Sequence, residues 1–253
     1  MQNIPIQREE GREIRKAFIA EKGNIIISAD YSQIELRVLA HMSGDEALTY
    51  AFNNDIDVHS QTAREILDLS EDDELTSEDR RAGKLINFGI VYGMSGFRLA
   101  KELSIPVGVA QQYINDYFDH FSGVKSFFNE LENQVDTQSF VETLWGRKRY
   151  LSEIDSSSRD KGFIKRVALN APIQGTAADI VKLAMIKLDD RIKTEKIPIK
   201  MLLQIHDELV FECPEPVKDQ ALEIIREEME NVAKFSVPLK VDIGYGANWK
   251  IAH

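Results

Sequence analysis

The sequence predicts an α+β fold, in which a sheet built from distant chain segments is interrupted by a helical subdomain. Three observations carry this. A short β-branched run, NIIISA at 24–29, lies near the N-terminus. Two apolar runs, 199–205 and 208–213, flank a tight turn near the C-terminus, and a further strand falls near 239–243. Between these ends the apolar residues recur at the helical period of about 3.6.

Residues 24–29 are too few and too β-branched for a helix and read as a buried strand. Residues 33–42 read as a helix, with Ser32-x-x-Glu35 a formal capping box before it. Residues 58–67 read as a helix leading into an acidic loop, and 68–79 hold seven acids and no base. Residues 78–92 read as a helix ending at Gly93. Residues 108–135 carry helical spacing through Val109, Tyr113, Tyr117, Phe118 and Phe121. Residues 174–195 read as a helix capped by Thr176, and 216–234 as an acidic amphipathic helix. No repeat, low-complexity segment or Pro/Gly-rich linker divides the chain.

The 253 residues, 43% hydrophobic and 29% charged, have ordinary soluble globular composition. That excludes a wholly disordered, collagenous or coiled-coil chain. No apolar run approaches the ~18 residues of a membrane span. The opening MQNIPIQREE has no apolar core of a signal peptide. One cysteine, Cys213, excludes an intramolecular disulfide, and the expected location is cytoplasmic. Five histidines and one cysteine make no convincing zinc site, and His206-Asp207-Glu208 lacks the second histidine of the zinc-protease pattern. The net charge of −11 speaks against a nucleic-acid partner. Its distribution weakens the objection, because 147–166 hold seven bases (among them Arg159) and three acids. Polyanion binding needs only a local positive surface. Either charge run also reads as a solvated face.

Four segments carry candidate chemistry. In DYSQIELR, 30–37, Asp30 stands at a strand end beside a helix start, suited to hold a cation or to cap the helix with Ser32. In LLQIHDELVF, 202–211, His206-Asp207 occupies a two-residue turn that normally wants glycine for positive φ. Local rules broken at one point mark candidate functional sites. Asp30 and Asp207, with Glu208 adjacent, would repel one another unless protonated or bridged by cations. Oxygen-only ligation favours Mg²⁺, with Mn²⁺ a possible substitute. Two such ions ~3.5–4 Å apart suit a phosphoryl displacement. In RRAGKLINFGIVYG, 80–93, Arg80, Lys84, Phe88 and Tyr92 step by four along one slowly turning stripe, opposite Ala82, Ile86, Gly89 and Ile90. Two cations followed by two aromatics suit a polyphosphate and a stacked base. The same stripe also reads as an amphipathic helix with snorkelling bases. In RVALNAPIQGTAAD, 166–179, Arg166, Asn170 and Gln174 also step by four, suited to read phosphates and base edges or to be ordinary surface polar residues.

DYSQIELR, RRAGKLINFGIVYG and LLQIHDELVF resemble the three polymerase motifs of family A DNA polymerases of the bacterial DNA polymerase I type, and NAPIQGTAAD matches that family too. The resemblance keeps the motif order and runs over essentially the whole chain. It implies a polymerase palm, an antiparallel sheet with helices on one face, at 1–45 and 164–253, with helical fingers at 46–163. It implies that Asp30, Asp207 and the Tyr31 carbonyl bind two Mg²⁺ ions and that Glu208 supports them. Glu35 would be the steric gate against a ribose 2′-hydroxyl, and Gln33 would line the nucleotide pocket. Arg80, Lys84 and His59 would hold the incoming triphosphate, with Lys84 donating a proton to pyrophosphate. Phe88 would stack beside the nucleotide and Tyr92 would position the template. Arg166, Asn170, Gln174 and His206 would contact primer–template DNA. A phenylalanine at position 88 is associated in this family with poor use of dideoxynucleotides. The segment ending in Gln2-Asn3-Ile4-Pro5 lacks its usual upstream stretch, and thumb, proofreading and 5′-nuclease domains are expected to be absent. A thumb-bearing segment or chain is thus a further expected partner beside DNA and dNTPs. Two other readings stand beside the polymerase: a nucleotide- or DNA-binding remnant without turnover, and a single-subunit RNA polymerase or reverse transcriptase, which Glu35 and the His-Asp-Glu tip disfavour.

Overall fold

Three consecutive isoleucines favour a pleated, buried strand, and in a computed structural model of the protein they form one. The structure describes residue 4 and residues 9–70, 72–151 and 161–253. Gln2-Asn3 and Pro5 of the N-terminal motif, Glu71 of the acidic run and Arg159 of the basic run lie outside the described residues.

Among those residues the elements run α1 (Glu9–Arg15), β1 (Asn24–Tyr31), α2 (Ile34–Ser43), α3 (Glu46–Asn53), α4 (Val58–Ile66), α5 (Ser77–Val91), α6 (Gly96–Leu103), α7 (Val107–His120), α8 (Ser122–Thr137), β2 (Phe140–Glu142), β3 (Lys148–Tyr150), α9 (Lys161–Glu195), β4 (Lys200–Ile205), β5 (Glu208–Pro214), α10 (Lys218–Glu230), β6 (Val241–Gly246) and α11 (Trp249–Ala252). They group into two compact units: residues 1–34, 177–235 and 239–253, and residues 35–176 and 236–238.

The first unit holds an antiparallel sheet of order β4-β5-β1-β6. Side chains alternate along each strand. Tyr31, on one face, donates its hydroxyl to Met229 O of α10 at 2.8 Å. Ile26 and Val210, on the other, pack with Trp249 of α11. Gly244 admits α11 to that face, since a Cβ there would lie 2.2 Å from Ala252 O. Asp30 lies opposite Glu208 of β5 and Asp242 of β6, so the three residues form one row across the sheet.

The second unit is helical, with one small hairpin, β2–β3. Gly83 sets the packing of α4 on α5, because a Cβ there would lie 2.1 Å from His59 O. The expected helical stretch at 108–135 is two helices, α7 and α8, broken at Phe121. The break has a distant cause. Asp45 Oδ1 caps α3 by accepting Leu48 N–H, while its Oδ2 accepts Gly123 N–H at 2.8 Å and Val124 N–H at 3.3 Å. Those amides open α8 instead of continuing α7.

One expected cap is not formed. The helix read as starting at 174 begins at Lys161 and runs through Pro172. Thr176 is therefore internal and fully buried, and its hydroxyl accepts Leu144 N–H at 3.0 Å from the hairpin turn. Burial of Ala168, Ile173 and Ile180 outweighs the cost of proline in the helix. Helix α2 begins at Ile34, and the Ser32 N–H goes to Lys240 O at 2.9 Å. The short elements α1, α3, α6 and α11 and the hairpin fall below the window over which periodicity is legible.

Candidate active site

In the first unit, the β4–β5 turn consists of His206 and Asp207, with Ile205 opposite Glu208. His206 adopts φ 57°, which costs a non-glycine residue about 1–2 kcal/mol. This is the strain the turn chemistry predicts. It projects an exposed imidazole at the tip and brings Asp207 to the end of β1, where Tyr31 N–H donates to Asp207 O at 3.4 Å. Burial, then the charges of Asp207 and Glu208, push the Asp30 carboxyl up to about 7. Burial likewise raises Asp207. Asp30 Oδ1 is buried with no hydrogen-bond partner. Among the described residues no three His, Cys, Asp or Glu side chains form a ready metal group. A cation here would draw on Asp30, Asp207 and backbone oxygen, hard donors that suit Mg²⁺ or Mn²⁺. Two carboxyls raised chiefly by burial and an orphaned buried oxygen fit such an ion.

Glu208 behaves differently from its neighbours. Burial raises its pKa, but bonds with His253, Ser28 and Trp249 outweigh that and hold it below the usual range. Its Oε1 accepts Ser28 Oγ–H at 2.6 Å and Trp249 Nε1–H at 2.7 Å. Its Oε2 lies 3.7 Å from Arg15 Nη1, and the Arg15 guanidinium, 2% exposed, stacks 3.9 Å from the Trp249 ring centre. Glu208 is thus a packed, bonded anion rather than an open ligand. Gln33, the other candidate of this unit, also has positive φ, 54°, and a buried, unpartnered Oε1.

In the second unit, α5 carries the expected stripe. Arg80, Lys84 and Tyr92 are exposed and Phe88 is half-buried, while Ile86, Gly89 and Ile90 are buried. Tyr92 is the C-cap residue, with its ring 6.3 Å from that of Phe88 and nearly parallel at 17°. Lys84 Nζ lies 5.9 Å from the Phe88 ring centre. A capping box of Thr76 and Asp79 starts the helix. Asp57 holds Arg80 from the N-cap of α4, with Arg80 Nε donating to Oδ2 at 2.6 Å and Nη2 to Oδ1 at 3.3 Å. His59 packs 5.7 Å from Phe88 but is only 3% exposed. Burial holds its pKa near 4, so the imidazole is neutral at physiological pH. Glu35 is half-buried in the first turn of α2.

Arg166, Asn170 and Gln174 all lie along α9, because the helix starts earlier than the expected residue 174. Asn170 Nδ2 donates to Tyr92 O at 3.4 Å, and a Cβ on Gly93 would lie 3.0 Å from Arg166 Cγ. The stripe therefore begins against the end of α5, and Gln174 is exposed. The structure brings Asp30, Tyr31, Asp207 and Glu208 together in one unit, and His59, Arg80, Lys84, Phe88 and Tyr92 in the other. Sequence reasoning missed Arg15, Ser28, Trp249, Asp242 and Asp57. Only Asp57 had a local signal, as an acid one residue before a helix.

The family model for DNA polymerase family A matches residues 1–251. The DNA polymerase I of Caldicellulosiruptor bescii is 46% identical over 98% of this chain, and that of Pseudomonas aeruginosa 45% identical over 100%. The chain spans 29% and 28% of the length of those two relatives. A solved structure described as the POL domain of Pol1 from M. smegmatis in complex with DNA primer-template and dNTP matches with a TM-score of 0.93 at 43% identity, over 100% of this chain and 45% of that one.

Proposed function

Because the chain belongs to DNA polymerase family A, we propose that it supplies the palm and fingers of a DNA-directed DNA polymerase, extending a primer with dNTPs on a DNA template. The subdomain limits 1–45 and 164–253 for the palm and 46–163 for the fingers belong to the same proposal. The observation that supports it most is the Asp30–Asp207 pair at one sheet end, with a buried Asp30 oxygen that lacks a partner.

Asp30, Asp207 and the Tyr31 carbonyl would hold two divalent cations, which when bound activate the attacking primer hydroxyl and stabilise the leaving oxygen. Glu208, kept ionised by Ser28 and Trp249, adds negative field beside them. Arg80 would exchange its fork on Asp57 for phosphate oxygens, and Lys84 would add a point charge and a proton for pyrophosphate. His59 would act as a neutral hydrogen-bonding group rather than a cation. Phe88 and Tyr92 would offer aromatic faces to the nucleotide and template base. Glu35 would exclude the 2′-hydroxyl, and Gln33 would line the pocket. Arg166, Asn170, Gln174 and His206 would fix the primer–template. The catalysis so described is positioning and electrostatics.

The test is primer extension at low salt with Mg²⁺ and one matched dNTP, beside Asp207→Ala. Extension by the parent and none by the variant is expected. Nucleotide or duplex binding with no extension by either would make the chain a binding fragment and remove the polymerase reading for it.

A further inference from the structure

We infer that Asn87 is a positioning residue for His59: it holds the imidazole with Nδ1 bare and the proton on Nε2, so that the ring offers one N–H to an anionic oxygen. That this oxygen belongs to a triphosphate rests on the polymerase reading. Asn87 lies on the buried face of α5, next to Phe88, and is fully buried. Its Nδ2 donates to Thr62 Oγ1 at 2.9 Å and to Gly83 O at 3.0 Å, and lies 3.3 Å from His59 Nδ1 and 3.5 Å from Val58 O. The two carbonyls fix which end of the carboxamide points at His59. An amide oxygen in that place would face Gly83 O and Val58 O, so the group there is the donor. Its own Oδ1 is buried with no partner, and nothing at that end pulls the amide round.

A donor facing Nδ1 decides where the ring proton sits, because the hydrogen bond at one imidazole nitrogen sets the state of the other. Nδ1–H would meet an N–H of Asn87 head-on, whereas a bare Nδ1 accepts it. Burial, then the charges of Arg80 and Lys84 against that of Asp57, holds the His59 pKa near 4. The ring is therefore neutral at physiological pH and has one N–H to give. On Nε2 that N–H can donate to an anion, whereas on Nδ1 it would leave a lone pair turned toward one. The two N–H groups of Asn87 serve Gly83 O, Thr62 Oγ1 and His59 Nδ1, so one is shared. The same carboxamide also braces α4 on α5, a purely structural role that Thr62 shares.

The test labels the full chain with ¹⁵N-histidine and reads the ring nitrogens by NMR at neutral pH, with His59→Gln identifying the signal among the five histidines. The parent is expected to show His59 protonated on Nε2 alone. Thr62→Val removes the rival acceptor and should keep that tautomer, with KM for dNTP within about twofold of the parent. Asn87→Leu should let the ring exchange between tautomers and raise KM about fivefold, with kcat within about twofold. A parent ring protonated on Nδ1, or averaged between tautomers, would overturn the assignment whether or not Asn87→Leu folds. An equal rise of KM in both variants would overturn it too, since Asn87 would then only brace two helices. Primer extension by the parent separates the two readings. Extension with an Nδ1-protonated His59 removes only the positioning role, and a fixed Nε2–H without extension removes only the polymerase reading.

Discussion

At the scale of single residues, Asp30 is held in a state that opposes folding at neutral pH. Its carboxyl is raised from 3.8 to about 7, so the folded chain binds its proton more tightly than the unfolded chain. The stability linked to Asp30 is complete below about pH 4 and is lost as pH rises through about 7. We therefore expect Asp30→Asn to raise the melting temperature at about pH 8 without divalent cation, and to abolish extension. Adding Mg²⁺ should raise the melting temperature of the parent and leave the variant unmoved. A thermal melt series over pH, with and without Mg²⁺, checks both. Asp30 was legible as a carboxylate at a strand end beside a helix start, and Asp207 because it sits in a turn that lacks the usual glycine. Arg15 and Trp249 were not, because an arginine in a short helix and a tryptophan near the C-terminus show no spacing that foretells their stacking behind Glu208.

At the scale of elements, α5 depends on its packing against α4. Its polar stripe was readable from the step of four, and its buried face from the small and apolar residues opposite. The cradle was not, because Asp57 and His59 reach Arg80 and Phe88 only when α4 lies close. Gly83 permits that approach. Gly83→Ala places a Cβ against backbone, which cannot yield as a side-chain tip does. It should destabilise the chain by about 1–3 kcal/mol in urea denaturation. It should also raise KM for dNTP more than it lowers kcat, if the groups proposed to hold the triphosphate move and the carboxylates do not. The run through Pro172 in α9 gives the opposite lesson. There a local stop signal was overridden by apolar burial, and Thr176, a good cap by type, became the anchor of the hairpin.

At the scale of the whole molecule, a chain of net charge −11 is proposed to bind a polyanion. Total charge is then a poor guide, and the salt dependence of DNA affinity should follow local contacts instead. Arg166→Ala is expected to flatten the slope of log Kd against log salt by about one. Lys193→Ala removes the same charge from an ion pair with Asp189 and should leave the slope unchanged. Equal slopes in both variants would show that net charge, not the α9 stripe, governs binding. The chain contains no helix among the described residues long and apolar enough to cross a membrane.

Periodicity and motif order by themselves determined the class of fold, the sheet of distant segments and the stripe on α5. These features are written in local spacing, where side-chain chemistry and helix or strand geometry are sufficient. Tertiary structure alone decided that Glu208 is a buried, bonded anion, that His59 is neutral, that Asp45 divides α7 from α8, and that Thr176 seats a hairpin. Each of those depends on burial or on a partner tens of residues away, and desolvation is a property of the packed molecule rather than of any stretch of chain.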